Sequence, residues 1–152
     1  MSTATQDTSP ATRRVDQLLA HYGASHRHPV NELIHFIAIP LIMLSLVGLI
    51  FALHPVAAYL FIAASMVYYV RLSLVFLITM LGVSAAMLAL VHAMGEQRLA
   101  LCGAIFVVAW IFQFIGHKLE GKKPSFFEDI QYLWVGPLFV LSKLFEKLGI
   151  RW

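Results

Sequence analysis

Two short stretches combine residue types that bind ligands. "HRHPVNELIH" carries His26, His28, Asn31 and His35, and "WIFQFIGHKLE" carries Gln113, His117 and Glu120. Neutral imidazole is the commonest protein ligand for first-row transition metals, and carboxylate oxygens often complete the set. Asn31 and His35 are four apart, as are Gln113 and His117, so each pair falls on one face of a helix. Glu120 continues the second stripe by about one turn. His26, His35 and His117, with Glu120 as a candidate fourth ligand, form a potential metal site with positions left for O₂ or substrate. Asn31 and Gln113 would orient the imidazoles or donate to a substrate carboxylate. Pro29 suits the first turn of a helix, with His28 at its cap.

The simpler readings differ from residue to residue. His21, His54 and His92 read as polar residues at a membrane interface, and His28 as a capping group. His35 and His117 lie within apolar runs, where an imidazole needs a partner. Glu120 could pair with Lys118 or Lys123, an exposed contact of little energy.

The elements that must position these groups are membrane helices. The 152 residues are 60% hydrophobic and 12% charged, against about 25% charged in soluble domains. A span needs roughly 20 mostly apolar residues. Four candidates are 33–53, 56–70, 72–91 and 99–116, the middle two meeting near Arg71. The run 132–145, with Gly136, Pro137 and Lys143, suits an interfacial or re-entrant helix. The expected fold is therefore all-α, an integral membrane bundle of about four transmembrane helices with that C-terminal segment beside it. Residues 1–20 read as a polar, disordered tail with no signal-peptide pattern, and 21–152 as one membrane-embedded catalytic domain.

Four spans put Arg13, Arg14, Arg27, Arg71, Lys118, Lys122, Lys123, Lys143, Lys147 and Arg151 on one side. Arg98 is alone on the other. Basic loops stay in the cytoplasm, so both termini are expected there, in a bacterial inner membrane or the endoplasmic reticulum. Both histidine motifs then reach the cytoplasmic face. A lone cysteine, Cys102, excludes an internal disulfide and a CxxC metal pair. Scattered basic residues argue against nucleic acid as a partner, and no phosphate loop or dinucleotide fingerprint is present. The sequence leaves the oligomeric state open.

With both motifs in place, the chain resembles the small membrane 2-hydroxy fatty acid dioxygenases of fatty acid α-oxidation, whose founding member acts in yeast phytosphingosine degradation. The resemblance runs from about Tyr22 to Leu148. It rests on His26, Pro29, Asn31, His35 and Pro40, and on "WIFQFIGHKLEGKKP", Trp110 to Pro124. It implies an Fe²⁺-dependent enzyme that converts a 2-hydroxy fatty acid and O₂ to the acid one carbon shorter, releasing CO₂. Carried over residue by residue, His26, His35 and His117 become iron ligands, with Asn31, Gln113 and Glu120 as further catalytic candidates. Glu120 stands three residues after His117, where the family places its acid four after. Lys122 and Lys123 are candidates for attracting the anionic head group.

Two other classes compete. A haem-binding electron carrier would use His35 and His117 as axial ligands. A non-enzymatic membrane scaffold or lipid-binding protein would leave the histidines at the interface. Desaturases and hydroxylases of the histidine-box kind need more histidines, in short HxxxH boxes, than the seven here.

Overall fold

A computed structural model describes residues 13–121 and 132–152. The described residues form six α-helices: α1 (Arg14–Gly23), α2 (Pro29–Leu53), α3 (Pro55–Val70), α4 (Leu74–Ala93), α5 (Arg98–Leu119) and α6 (Val135–Leu148). The expected all-α class holds. Among the described residues, three helical stretches are long and apolar enough to cross a membrane: Pro29–Leu53, Leu74–Ala93 and Gly95–Leu119, the last joining a short 3₁₀ turn to α5. The fourth expected span, α3, is apolar but has only 16 residues, about 24 Å at 1.5 Å per residue.

Helix α2 begins at Pro29, as the sequence suggests and four residues before the apolar span proper, because proline fits the first turn, where its missing N–H costs nothing. His28 caps it, its imidazole Nδ1 accepting from the Val30 N–H at 3.2 Å. Pro40 lies within α2 without ending it, as apolar helices packed against neighbours tolerate. The chain turns over His54–Pro55 into α3 and over Arg71–Ser73 into α4.

The boundary of the expected tail needs correcting. Arg14–Gly23 is helical, with Val15 and Tyr22 buried. Val15, Leu18, Leu19 and Tyr22 follow the i, i+3, i+4, i+7 spacing of an amphipathic helix, and they pack onto α6. The rest of the expected tail, residues 1–12, lies outside the described residues. The C-terminal run is a helix that starts at Val135, after a turn at Tyr132–Trp134. It buries Val135 to Phe139, Ser142 and Phe145.

The closest seam joins α2 and α5, and small residues make it close. A Cβ on Gly48 would lie 2.2 Å from Cys102 Sγ, and one on Gly116 would lie 2.3 Å from Asn31 Oδ1. A second core gathers Val15 of α1, Tyr69 of α3, Phe76 and Met80 of α4, and Leu138 and Phe145 of α6. Trp134 fastens that layer through Nε1, which donates to Ser65 Oγ at 2.9 Å. Thus α1 and α6 cover the end of the bundle where α2 begins and α5 finishes.

Candidate metal centre

The start of α2 and the end of α5 meet at this end, which brings the two sequence motifs together. His26 lies in the turn between α1 and α2, His35 one and a half turns into α2, and His117 in the last turn of α5. All three are buried. Each offers one nitrogen, and the three nitrogens lie within 4.8 Å of one another. The ring centroids are 4.1 Å apart for His26–His35, 5.1 Å for His35–His117 and 5.7 Å for His26–His117.

Backbone hydrogen bonds fix the state of two rings. His26 Nδ1 is 2.7 Å from the Tyr22 carbonyl oxygen, and His35 Nδ1 is 2.9 Å from that of Asn31. A carbonyl only accepts, so in each ring Nδ1 carries a hydrogen, and Nε2 is the nitrogen left to bind a metal when the ring is neutral. This is the arrangement by which metal-binding histidines are oriented. Tyr22 adds a stacked ring 4.2 Å from His26 at an interplanar angle of 15°. Phe139 of α6 approaches the same imidazole, with centroids 5.7 Å apart.

The donor set fits a transition-metal ion. Three nitrogens in a buried, compact group match bonds of about 2.1 Å to one centre after little closure. Imidazole favours zinc, copper, iron or nickel over magnesium or calcium. Rings this close suit one small ion better than a flat macrocycle between two of them.

Glu120 does different work from the ligand role it was a candidate for. Its Oε1 accepts from the Arg27 N–H at 3.0 Å, and its Oε2 from the His28 N–H at 2.8 Å and from Asn31 Nδ2 at 3.0 Å. The carboxylate at the end of α5 therefore caps the start of α2, where N–H groups point outward and the helix dipole favours negative charge. Partial burial pushes its pKa up. The bonds from His28, Asn31 and Arg27, with His26 nearby, outweigh that and hold it at about 2. Gly121 follows with a φ of 73°, turning the chain away directly after the capping group.

Asn31 is fully buried, its amide nitrogen on Glu120 and its oxygen against Gly116. Gln113 is buried one turn below His117, and its Oε1 has no hydrogen-bond partner among the described residues. It faces a cavity of about 30 Å³, which Tyr22, Ile39, Ile42, Trp110 and Tyr132 also line, room for about one water-sized guest. Lys122 and Lys123 lie outside the described residues. His21, His54 and His92 are exposed and stand apart from the group.

Tyr22 and Gly116 were missed as site residues. The signal for Gly116 was a glycine inside a helical pattern one residue before a histidine, a common mark of close backbone approach.

The family profile described as Mpo1-like, 2-hydroxy-palmitic acid dioxygenase Mpo1-like, matches residues 12–148. The chain is 33% identical to "2-hydroxy-palmitic acid dioxygenase MPO1" of Saccharomyces cerevisiae (strain ATCC 204508 / S288c) over 141 residues, covering 86% of this chain and 79% of that protein. No solved structure matches.

Proposed function

This chain belongs to the Mpo1-like 2-hydroxy-palmitic acid dioxygenase family, and on that premise we propose that it converts a long-chain 2-hydroxy fatty acid and O₂ to the acid one carbon shorter, CO₂ and water. The reaction balances without another reductant. The hydroxyl-bearing carbon is oxidised to a carboxyl and the old carboxyl carbon to CO₂, which together supply the four electrons that O₂ takes up. The observation that carries this reading is the buried group of three histidine nitrogens within 4.8 Å of one another.

Fe²⁺ is the proposed metal, and when bound it would supply the redox centre and the template on which hydroxy acid and O₂ meet. His26, His35 and His117 would hold it. The Tyr22 and Asn31 carbonyls keep the hydrogen on Nδ1 of His26 and His35, leaving Nε2 as the donor atom. Glu120 ties the His26 loop and the start of α2 to the end of α5, so the three imidazoles keep their separation without repacking. Gln113 presents its amide oxygen to the space below the histidines, where a substrate hydroxyl can donate to it. Lys122 and Lys123 would draw the carboxylate toward the site.

The site sits at one end of the apolar bundle, so a fatty acid can reach it with its tail still in the bilayer. We place α2 to α5 as four crossings with both termini cytoplasmic. His35 near the start of α2 and His117 near the end of α5 lie 5.1 Å apart between ring centroids, which supports an even number of passes and gives the short α3 a full return.

The reaction is tested by incubating iron-loaded protein with 2-hydroxypalmitate while following O₂, CO₂ and chain length. Pentadecanoate, CO₂ and consumed O₂ should appear in equal amounts. Consumption of O₂ without shortening of the chain would rule out this reaction.

A further inference from the structure

Two apolar cavities flank α2, and they stand differently towards His35. One, of about 250 Å³, is a groove between α2 and α5 lined by Leu33, Ile37, Leu41, Val108 and Phe112 among others. Leu33 is 61% and Ile37 59% exposed, so this groove opens to the surroundings. Both residues are two positions from His35, which puts them on the far side of the helix. The other cavity, of about 160 Å³, lies between α2, α4 and α6 and is open on one side too, where the exposed Pro40 lines it. Ile39 and Met43 line it from α2, Met80, Val83 and Met87 from α4, and Pro137 from α6.

Ile39 and Met43 follow His35 at i+4 and i+8, on the histidine's own side and about 6 and 12 Å further along the helix. Ile39 also lines the small cavity that Gln113 faces. Its Cδ1 would lie 3.1 Å from a Cβ on Gly136. The Ile39 side chain resting on Gly136 is therefore the partition between the space under the histidines and the methionine-lined space. Among the described residues no polar atom lines the methionine-lined cavity, which suits a hydrocarbon occupant.

We propose that this methionine-lined cavity is the acyl-tail site, reached past Ile39 while the carboxylate end of the same molecule docks at the histidines. The proposal rests on the reading of the substrate as a long-chain 2-hydroxy acid. An apolar cavity of about 150 Å³ accepts a benzene-sized guest, so the space holds about six methylenes as it stands. Methionine side chains are unbranched and adaptable, and three of them let the walls move aside for a longer chain. Val83 and Met87, only partly buried, then set how far the tail extends.

The test uses the full chain in lipid nanodiscs with a 2-hydroxypalmitate carrying a photoreactive diazirine near its methyl end. Insertion that excess 2-hydroxypalmitate suppresses should fall on Met80 to Met87 or on Ile39 to Met43. Insertion on Leu33, Ile37, Val108 or Phe112, or none that excess substrate suppresses, would overturn the assignment. In a second arm, Val83→Trp and Met87→Trp fill the cavity, and Ile37→Trp fills the outer groove. The first two should lower kcat/KM for 2-hydroxypalmitate about tenfold or more relative to 2-hydroxyoctanoate, with metal content unchanged. Ile37→Trp should leave that ratio alone. An unchanged ratio in both cavity-filling variants would also overturn it. If metal-loaded wild type turns over neither acid, the proposed reaction fails, while the labelling still decides the tail site.

Discussion

At the scale of single residues, three imidazoles are held by different elements, and one carboxylate locks two of those elements together. Removing the Glu120 side chain leaves two exposed backbone N–H groups to water and takes the partner from the part-buried Asn31 amide nitrogen. Glu120→Ala should therefore lower stability by about 0.5–2 kcal/mol and weaken metal binding, measured by unfolding in detergent and by competition with a chelator. The pH dependence has a definite sign. The folded protein holds this carboxyl at about 2, below its ordinary 4.5, so its contribution is fully present above about 4.5 and is lost as pH falls toward 2. Acid unfolding of the wild type should be steeper than that of Glu120→Gln across this window, and parallel curves would contradict the capping role. His35 and His117 were legible because imidazoles inside apolar runs demand partners, and His26 because it stands just ahead of the helix that carries His35. The task of Glu120 was not, because its acceptors' partners lie 89 to 93 positions away. No local spacing encodes a cap supplied by another helix.

At the scale of elements, the α2–α5 seam sets the distance between His35 and His117, and two glycines set the seam. Gly48→Ala would press a methyl against Cys102 Sγ and should cost about 1–3 kcal/mol, as overpacking does. Adding Cys102→Ala should return part of that loss, because the two sites share the contact. Thermal unfolding of the two single variants and the double variant measures the coupling. Gly116→Ala should separate Asn31 from α5 and reduce metal affinity, read by metal titration. The long helices were legible to within a few residues because apolar runs bounded by Pro29, His54–Pro55 and Arg71 leave little choice. Helix α1 was overlooked although Val15, Leu18, Leu19 and Tyr22 carry its pattern. Ten residues make a short stripe, and polar neighbours dilute it. The covering role of α6 needed the fold, because Gly136 and Pro137 look like breaks until Ile39 is seen against the glycine.

At the scale of the molecule, an apolar bundle carries its polar chemistry at one end, under the cover of α1 and α6. Four crossings would place Glu96 and Arg151 on opposite sides of the membrane. In a cysteine-free background made with Cys102→Ser, a cysteine at position 96 should react with an impermeant maleimide added outside intact cells. One at position 151 should react only after the membrane is opened. The charge bias is what proposes this topology, while the convergence of the motifs depends on α3 returning the chain in only 16 residues. The central claim is that the three histidines bind iron, and metal content of anaerobically purified protein tests it most directly. Near-stoichiometric iron in the wild type and none in the His35→Ala/His117→Ala double variant is the result expected. No bound metal in the wild type after Fe²⁺ has been offered would contradict the account.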